Sequence, residues 1–182
     1  NSYVTSRATM SEETDDRLIS QFYCPDRANP PLVVIFGGEP MLAFKEVDHL
    51  VRGLPMETTK VLFTNGTIVQ DEHIERFLTY GNFHIVVSLD GMPSSNDLLR
   101  HFRRGTSTTR IVKNLSKMRR CGLHYGISLV AQRHNIDNLV ENIEFILREL
   151  SPSSLGVNLP HYTEAQPYHI DIAKYAEALI ET

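Results

Sequence analysis

The chain has 182 residues, enough for one sizeable core and too few for two, and its 41% apolar, 22% charged composition is that of an ordinary globular protein. The net charge is −4 and the basic runs, Arg103-Arg104 and Arg119-Arg120, are short and separated, which disfavours nucleic acid as a partner. No apolar run approaches the roughly 20 residues of a membrane span and no signal peptide is evident, so a membrane role is not expected. The two cysteines, Cys24 and Cys121, lie far apart with no second Cys or His at metal-ligand spacing, the usage of a reducing cytoplasm and no basis for a local metal site.

In chain order, a helix is predicted from Ser11 to Tyr23, with Ser11 as N-cap, Glu12 and Glu13 in the first turn, and Leu18, Ile19 and Phe22 inward. Leu32-Val33-Val34-Ile35-Phe36 reads as a strand buried on both faces of a parallel sheet. Gly37-Gly38-Glu39-Pro40 follows with no spacer. Phe44, Val47, Leu50, Val51 and Leu54 then step along one helical face. A short strand, Val61 to Phe63, ends in Thr64-Asn65-Gly66, and a helix from Asp71 to Thr79 buries Ile74, Phe77 and Leu78. The strand Ile85 to Leu89 runs into Asp90-Gly91.

The stretch from Met92 to Thr108 is predicted to be the longest irregular loop, of a length usually functional or mobile. A helix from Thr109 to Arg120 stops at Gly122, a good residue just past a helix end. The strand Ile127 to Val130 precedes a helix starting near Asp137, with Leu139, Ile143, Ile146, Leu147 and Leu150 as its apolar stripe. Leu155 to Leu159 is the last strand, and Ile172, Tyr175, Ala176, Leu179 and Ile180 line a final helix. Six helices and five strands therefore alternate, which predicts an α/β fold with a parallel sheet and right-handed crossovers. The order opens on a helix where a β/α unit opens on a strand, so one strand is expected to be missing at the front.

Three successive strands end in polar signatures, and neighbouring tips of a parallel sheet share one face, where ligands bind. Glu39, Thr64, Asn65, Ser88 and Asp90 are thereby placed around one mouth. The glycines let a ligand reach the backbone. Pro40 removes a donor and holds Glu39 extended, leaving a carboxylate and bare carbonyls suited to a cation such as an amino group. Each signature also has a plain reading, Asn65-Gly66 and Asp90-Gly91 as common turns and Ser88 as a small filler. Their coincidence at three tips favours function. No G-x-G-x-x-G, phosphate-loop or G-x-S-x-G motif is present. His134 and His161 follow strands near the mouth, though a structural or solvated role suits each better.

These residues resemble the radical S-adenosylmethionine enzymes, in their peptide- and protein-modifying branch of sulfatase-maturating enzymes and peptide maturases. Met10-Ser11-Glu12-Glu13 is similar to the family's entry to its first helix, and Gly37-Gly38-Glu39-Pro40 to the motif that holds the methionine amino group of S-adenosylmethionine. Thr64-Asn65-Gly66 and Ser88-Leu89-Asp90-Gly91 resemble the next two tips, the latter near the ribose hydroxyls. Asn96-Asp97-Leu98-Leu99-Arg100 resembles a family segment whose usual His is here Asn96, with Arg100 placed to pair with the methionine carboxylate. Ser128 stands where the family often has Asn in contact with the cofactor.

The resemblance implies a partial (β/α)6 TIM-like barrel in which S-adenosylmethionine, with a 4Fe–4S cluster and an external electron donor, yields a 5′-deoxyadenosyl radical that attacks a peptide or protein substrate. The family's C-x3-C-x2-C cluster motif is absent from the sequence. The expectation is a core-domain fragment, residues 1–182, that starts just past those cysteines, lacks a C-terminal auxiliary-cluster domain and is inactive by itself. The rival readings are a cluster-free barrel that binds a peptide or nucleotide, and an unrelated lyase or aldolase barrel. The latter wants a Schiff-base lysine at a strand tip, whereas Lys60 opens its strand at the wrong end.

Overall fold

The alternation of β-branched runs and amphipathic segments resolves into one parallel sheet. The structure, a computed structural model, describes residues 10–22, 32–100, 106–160 and 170–181. Its elements are α1 (Glu12–Phe22), β1 (Leu32–Ile35), α2 (Phe44–Gly53), β2 (Thr59–Thr64), α3 (Asp71–Thr79), β3 (Phe83–Ser88), α4 (Pro93–Leu99), α5 (Ser107–Arg120), β4 (Gly126–Val130), α6 (Leu139–Phe145), β5 (Ser154–Asn158) and α7 (Ile172–Glu181). The strands pair in the order β1-β2-β3-β4-β5, every neighbour parallel. Strands that follow one another in both sequence and space are joined by crossovers of one hand.

Period-two alternation divides the sheet into two unlike faces. Leu62, Ile85, Val87, Ile127 and Leu129 are buried in one core with Val47, Val51, Ile74, Phe77, Ile111, Leu115, Met118, Leu139, Ile143 and Ile146 from the helices. The intervening residues Val34, Val61, Phe63, Val86, Ser88, Ser128 and Val130 face the other way and are only half-buried or exposed. The strands are therefore not buried on both faces in this structure; one face is open, and it leads to the tips.

The opposite end is closed by Lys60. Its ammonium donates to the carbonyls of Pro55 (2.9 Å), Thr58 (3.0 Å) and Gly81 (3.1 Å), and burial lowers its pKa from 10.5. It braces the sheet floor, as its position far from the tips predicts.

Three expectations are corrected. The predicted loop 92–108 contains α4, and α5 begins at Ser107. Pro93 stands in the first turn of α4, where a missing N–H costs nothing, and the helix is fastened by the side-chain bonds described below. Leu147 is 46% exposed where it is expected inward, because it falls at the edge of the helical face that Leu139, Ile143, Ile146 and Leu150 bury; Leu78 at the edge of α3 is also exposed. On α7 the residues expected to line the core are mostly outward, with Tyr175 half-buried and Ala178 buried instead. Cys24, Tyr23, Arg103, Arg104 and His161 lie outside the described residues.

Candidate functional site at the strand tips

Glu39 ties the first two tips together. Pro40 keeps it extended, at φ −146° and ψ 105°. Its Oε1 accepts from the Met41 N–H (3.0 Å) and the Thr64 hydroxyl (2.6 Å), and its Oε2 from the Asn65 N–H (2.7 Å). A carboxylate has about four acceptor sites, so three protein donors leave little capacity for a ligand. The glycines before it are open instead. A Cβ on Gly37 or Gly38 would meet no heavy atom within 4 Å, so the backbone there is bare to an incoming group.

The second tip is locked from outside. Asn65 Oδ1 accepts from the Thr67 N–H (2.9 Å) and hydroxyl (2.6 Å), while Asn114 bonds the Gly66 carbonyl (2.8 Å) and Arg110 the Thr67 carbonyl (2.7 Å). Gly66 has φ +70°, and a Cβ there would lie 2.6 Å from Val87 Cγ1, so only glycine fits. Asn65 Nδ2 has no partner among the described residues, and Asn65 lines the cleft. Ser88 lines it too, its hydroxyl likewise without a partner among the described residues.

The third tip is closed. Asp90 is 1% exposed, and its carboxylate takes Nε (2.7 Å) and Nη2 (3.1 Å) of Arg100 and the Val130 N–H (3.0 Å). Asn96, fully buried, accepts from the Asp90 N–H (3.0 Å) and donates to Ser107 (3.0 Å) and Thr108 (2.9 Å), so it joins the tip to α5. Burial alone would raise the Asp97 pKa, but hydrogen bonds from Ser107 and from the Thr108 hydroxyl and N–H hold it below 3.8. At Gly91, φ +119°, a Cβ would fall 2.1 Å from Asn142 Oδ1, which accepts from the Met92 N–H (2.9 Å).

Together Glu39, Thr64, Asn65, Ser88 and Arg100 surround a cleft of about 460 Å³ with Gly37 and Gly38, walled on one side by Val34, Phe36 and Phe63. The geometry thus gathers most of the expected residues. Asp90 is instead enclosed behind Arg100, and Pro40 faces a second cavity outside the cleft. Ser128, one strand beyond Ser88 in direct register, bonds to Asn158 and is not part of the cleft wall. His134 lies by Ser95, Asp90 and Arg100; burial, foremost, lowers its pKa from 6.5.

Sequence reasoning missed the apolar wall, for which the exposed alternation of Val34 and Phe36 is the signal. It also missed Asp15. It lies within the helix expected from Ser11 to Tyr23, is 0% exposed, lines the second cavity of about 760 Å³ beside Glu46, and neither carboxylate oxygen has a hydrogen-bond partner among the described residues. Burial raises its pKa above 3.8, with His49 pulling the other way.

The open glycine backbone, the free Asn65 and Ser88 groups and the apolar wall fit a ligand with an ammonium group, hydroxyls and a flat apolar face. They do not fit a metal cluster. Among the described residues no three His, Cys, Asp or Glu are grouped to hold a metal, and Cys121 is exposed at the far end of α5.

The profile of the radical SAM superfamily matches residues 8–146, which is most of the chain. The chain belongs to the radical SAM superfamily. It is similar to the sporulation killing factor maturation protein SkfB of Bacillus subtilis, 26% identical over 133 residues, 68% of this chain and 32% of SkfB. The fold matches anSMEcpe, solved with bound AdoMet, at TM-score 0.77 and 19% identity over 100% of this chain and 52% of that one. It also matches Streptococcus suis SuiB at TM-score 0.72 and 18% identity, over 97% of this chain and 40% of SuiB. The radical SAM chain therefore spans between a third and about half the length of these relatives. Among the described residues no helix is long and apolar enough to cross a membrane.

Proposed function

We propose that the protein binds S-adenosylmethionine at the tips of β1–β3 and serves the maturation of a peptide or protein substrate. The single observation that carries this reading is the cleft itself: exposed Gly37-Gly38 backbone facing free Ser88 and Asn65 groups, in a chain of this superfamily. With one electron from a 4Fe–4S cluster, whose ligands are not among the described residues, bound S-adenosylmethionine would be cleaved to methionine and a 5′-deoxyadenosyl radical that takes a hydrogen atom from the substrate.

The residues bind and orient. The carbonyls of the Gly37-Gly38 turn accept the ammonium of the methionine moiety. Glu39 holds that turn against β2 and supplies negative charge beneath it. Arg100, whose Nη1 is not used by Asp90, faces the methionine carboxylate, and Asp90 fixes its guanidinium plane. Ser88 takes a ribose hydroxyl, Asn65 Nδ2 donates to the nucleoside, and Phe36 and Phe63 cover it and exclude water. The peptide class of substrate is supported by the relatives, since SuiB has been solved bound to its precursor peptide SuiA and SkfB is a maturation protein. A cytoplasmic setting is supported by the two widely spaced cysteines.

Calorimetric titration with S-adenosylmethionine tests this reading. Binding is expected, and Gly38→Val, which fills the open backbone, is expected to weaken it at least about tenfold without loss of fold. Equal affinity of wild type and Gly38→Val would overturn it.

A further inference from the structure

The open face carries a second pair of free polar groups that the cleft does not use. Ser128 is in direct register with Ser88 on β3 and with Gly156 on β5. Gly156 has no side chain, and the Asn158 amide folds over it, its Nδ2 lying 3.4 Å from where a Cβ would stand. Asn158 follows two residues later on the same face, at the tip of β5, and is exposed. Its Nδ2 donates to Ser128 Oγ (3.0 Å) and to the Gly156 carbonyl (3.3 Å).

Those two bonds set the amide orientation and determine what is left over. Among the described residues no group donates to Asn158 Oδ1, and Ser128, having accepted at its oxygen, has its own O–H to give. One free acceptor and one free donor thus stand side by side on a solvent-facing surface. One residue of an extended polypeptide offers the complement, its N–H and its C=O, both pointing to the same side. β5 lies two strand spacings from β3, about 10 Å, so a ligand seated on this pair sits next to the cleft and not within it.

We propose that Ser128 and Asn158 form a substrate subsite, separate from the cofactor cleft, that hydrogen-bonds the backbone N–H and C=O of one extended residue of a polypeptide substrate. Ser128 donates to its carbonyl and Asn158 Oδ1 accepts its N–H. The assignment rests on the reading of the β1–β3 tips as the cofactor site, and it moves Ser128 from cofactor to substrate. Side-chain identity is not read by such a pair, so it fixes the position of the chain and leaves specificity to other contacts.

The test is a set of resonance titrations of the 15N-labelled chain with N-acetyl-trialanine methylamide, with 5′-deoxyadenosine and with S-adenosylmethionine. The peptide is expected to move the Asn158 side-chain amide and the Ser128 N–H, and Asn158→Ala or Ser128→Ala is expected to weaken its binding about fivefold, the loss of one hydrogen bond. Unmoved resonances elsewhere in the variants report that the fold is kept. If 5′-deoxyadenosine moves Asn158 and the peptide does not, the pair is a ribose contact and the proposal is overturned. It is overturned equally if neither probe moves it, since the pair is then only a brace between β4 and β5. The S-adenosylmethionine titration reads Gly37 and Ser88 separately, so failure of the cofactor reading is visible apart from failure of the subsite.

Discussion

The tip of β1 and the tip of β3 carry the same local signal, an acidic residue beside glycine after an apolar strand, and the fold uses them in opposite ways. Glu39 receives three donors and leaves the glycines beside it bare. Asp90 receives three donors as well, but its neighbours are sealed too: Asn96 takes its N–H, and Asn142 crowds the space over Gly91. One acid shapes an opening and the other closes a joint. The lesson is that an acid at a strand tip binds a ligand only when the groups around it are left unsatisfied, and that satisfied carboxylates work as braces.

The sharpest way to break the comparison is Asp90→Ala. It leaves the half-buried Arg100 guanidinium and the Val130 N–H without their acceptor, and it is expected to destabilise the chain by about 3 kcal/mol in urea unfolding. A loss below about 0.5 kcal/mol would mean that the joint at β3 is not a brace. Glu39→Ala comes next. Removing the shared acceptor of Met41, Thr64 and Asn65 is expected to cost about 2 kcal/mol and to weaken S-adenosylmethionine binding more than tenfold, both read on one sample.

Asp15 sharpens the contrast from the other side, as a buried acid with no donor among the described residues. Burial holds its carboxyl above 3.8, so the folded chain binds that proton more tightly than the unfolded one. Stability tied to this proton is present below the unfolded value and falls as pH rises through the folded one. Asp15→Asn is therefore expected to raise stability by about 1 kcal/mol at pH 7 and to flatten its decline from pH 3.8 upward, as read by urea midpoints across pH. An unchanged or lower midpoint at pH 7 would count against a buried, unpartnered carboxylate. The smallest effect on stability is expected for Ser88→Ala, within about 0.5 kcal/mol, since its hydroxyl has no partner among the described residues. Its affinity for S-adenosylmethionine should still fall severalfold by calorimetry, which separates a ligand contact from a brace.

The sheet was legible because each strand is a short apolar run, rich in β-branched residues in β1 to β3, with turn signals at its end, a pattern that depends on little beyond local sequence. The first and second tips were legible for the same reason, since Gly-Gly-Glu-Pro and Thr-Asn-Gly announce special backbone. α4 was not. Its Pro-Ser-Ser-Asn-Asp start has weak helix propensity, and what holds it is tertiary: Asn96 and Asp97 reach to Ser107 and Thr108, 10 to 12 residues on, and Ser95 accepts from Asn142. The inward turn of Asp90 depends on Arg100 and on the Val130 N–H from the neighbouring strand, partners that spacing alone does not reveal. Leu147 was misplaced because it stands at the margin of the apolar stripe, and how far the core reaches around a helix is set by what packs on it and not by the helix's own period.

A structure of the chain with S-adenosylmethionine bound tests the central claim most directly. The account predicts the methionine amino group on the Gly37-Gly38 carbonyls, the ribose at Ser88, and the Asp90–Arg100 pair still closed. A ligand seated elsewhere, or one that reaches its place only by prising Arg100 away from Asp90, would contradict it.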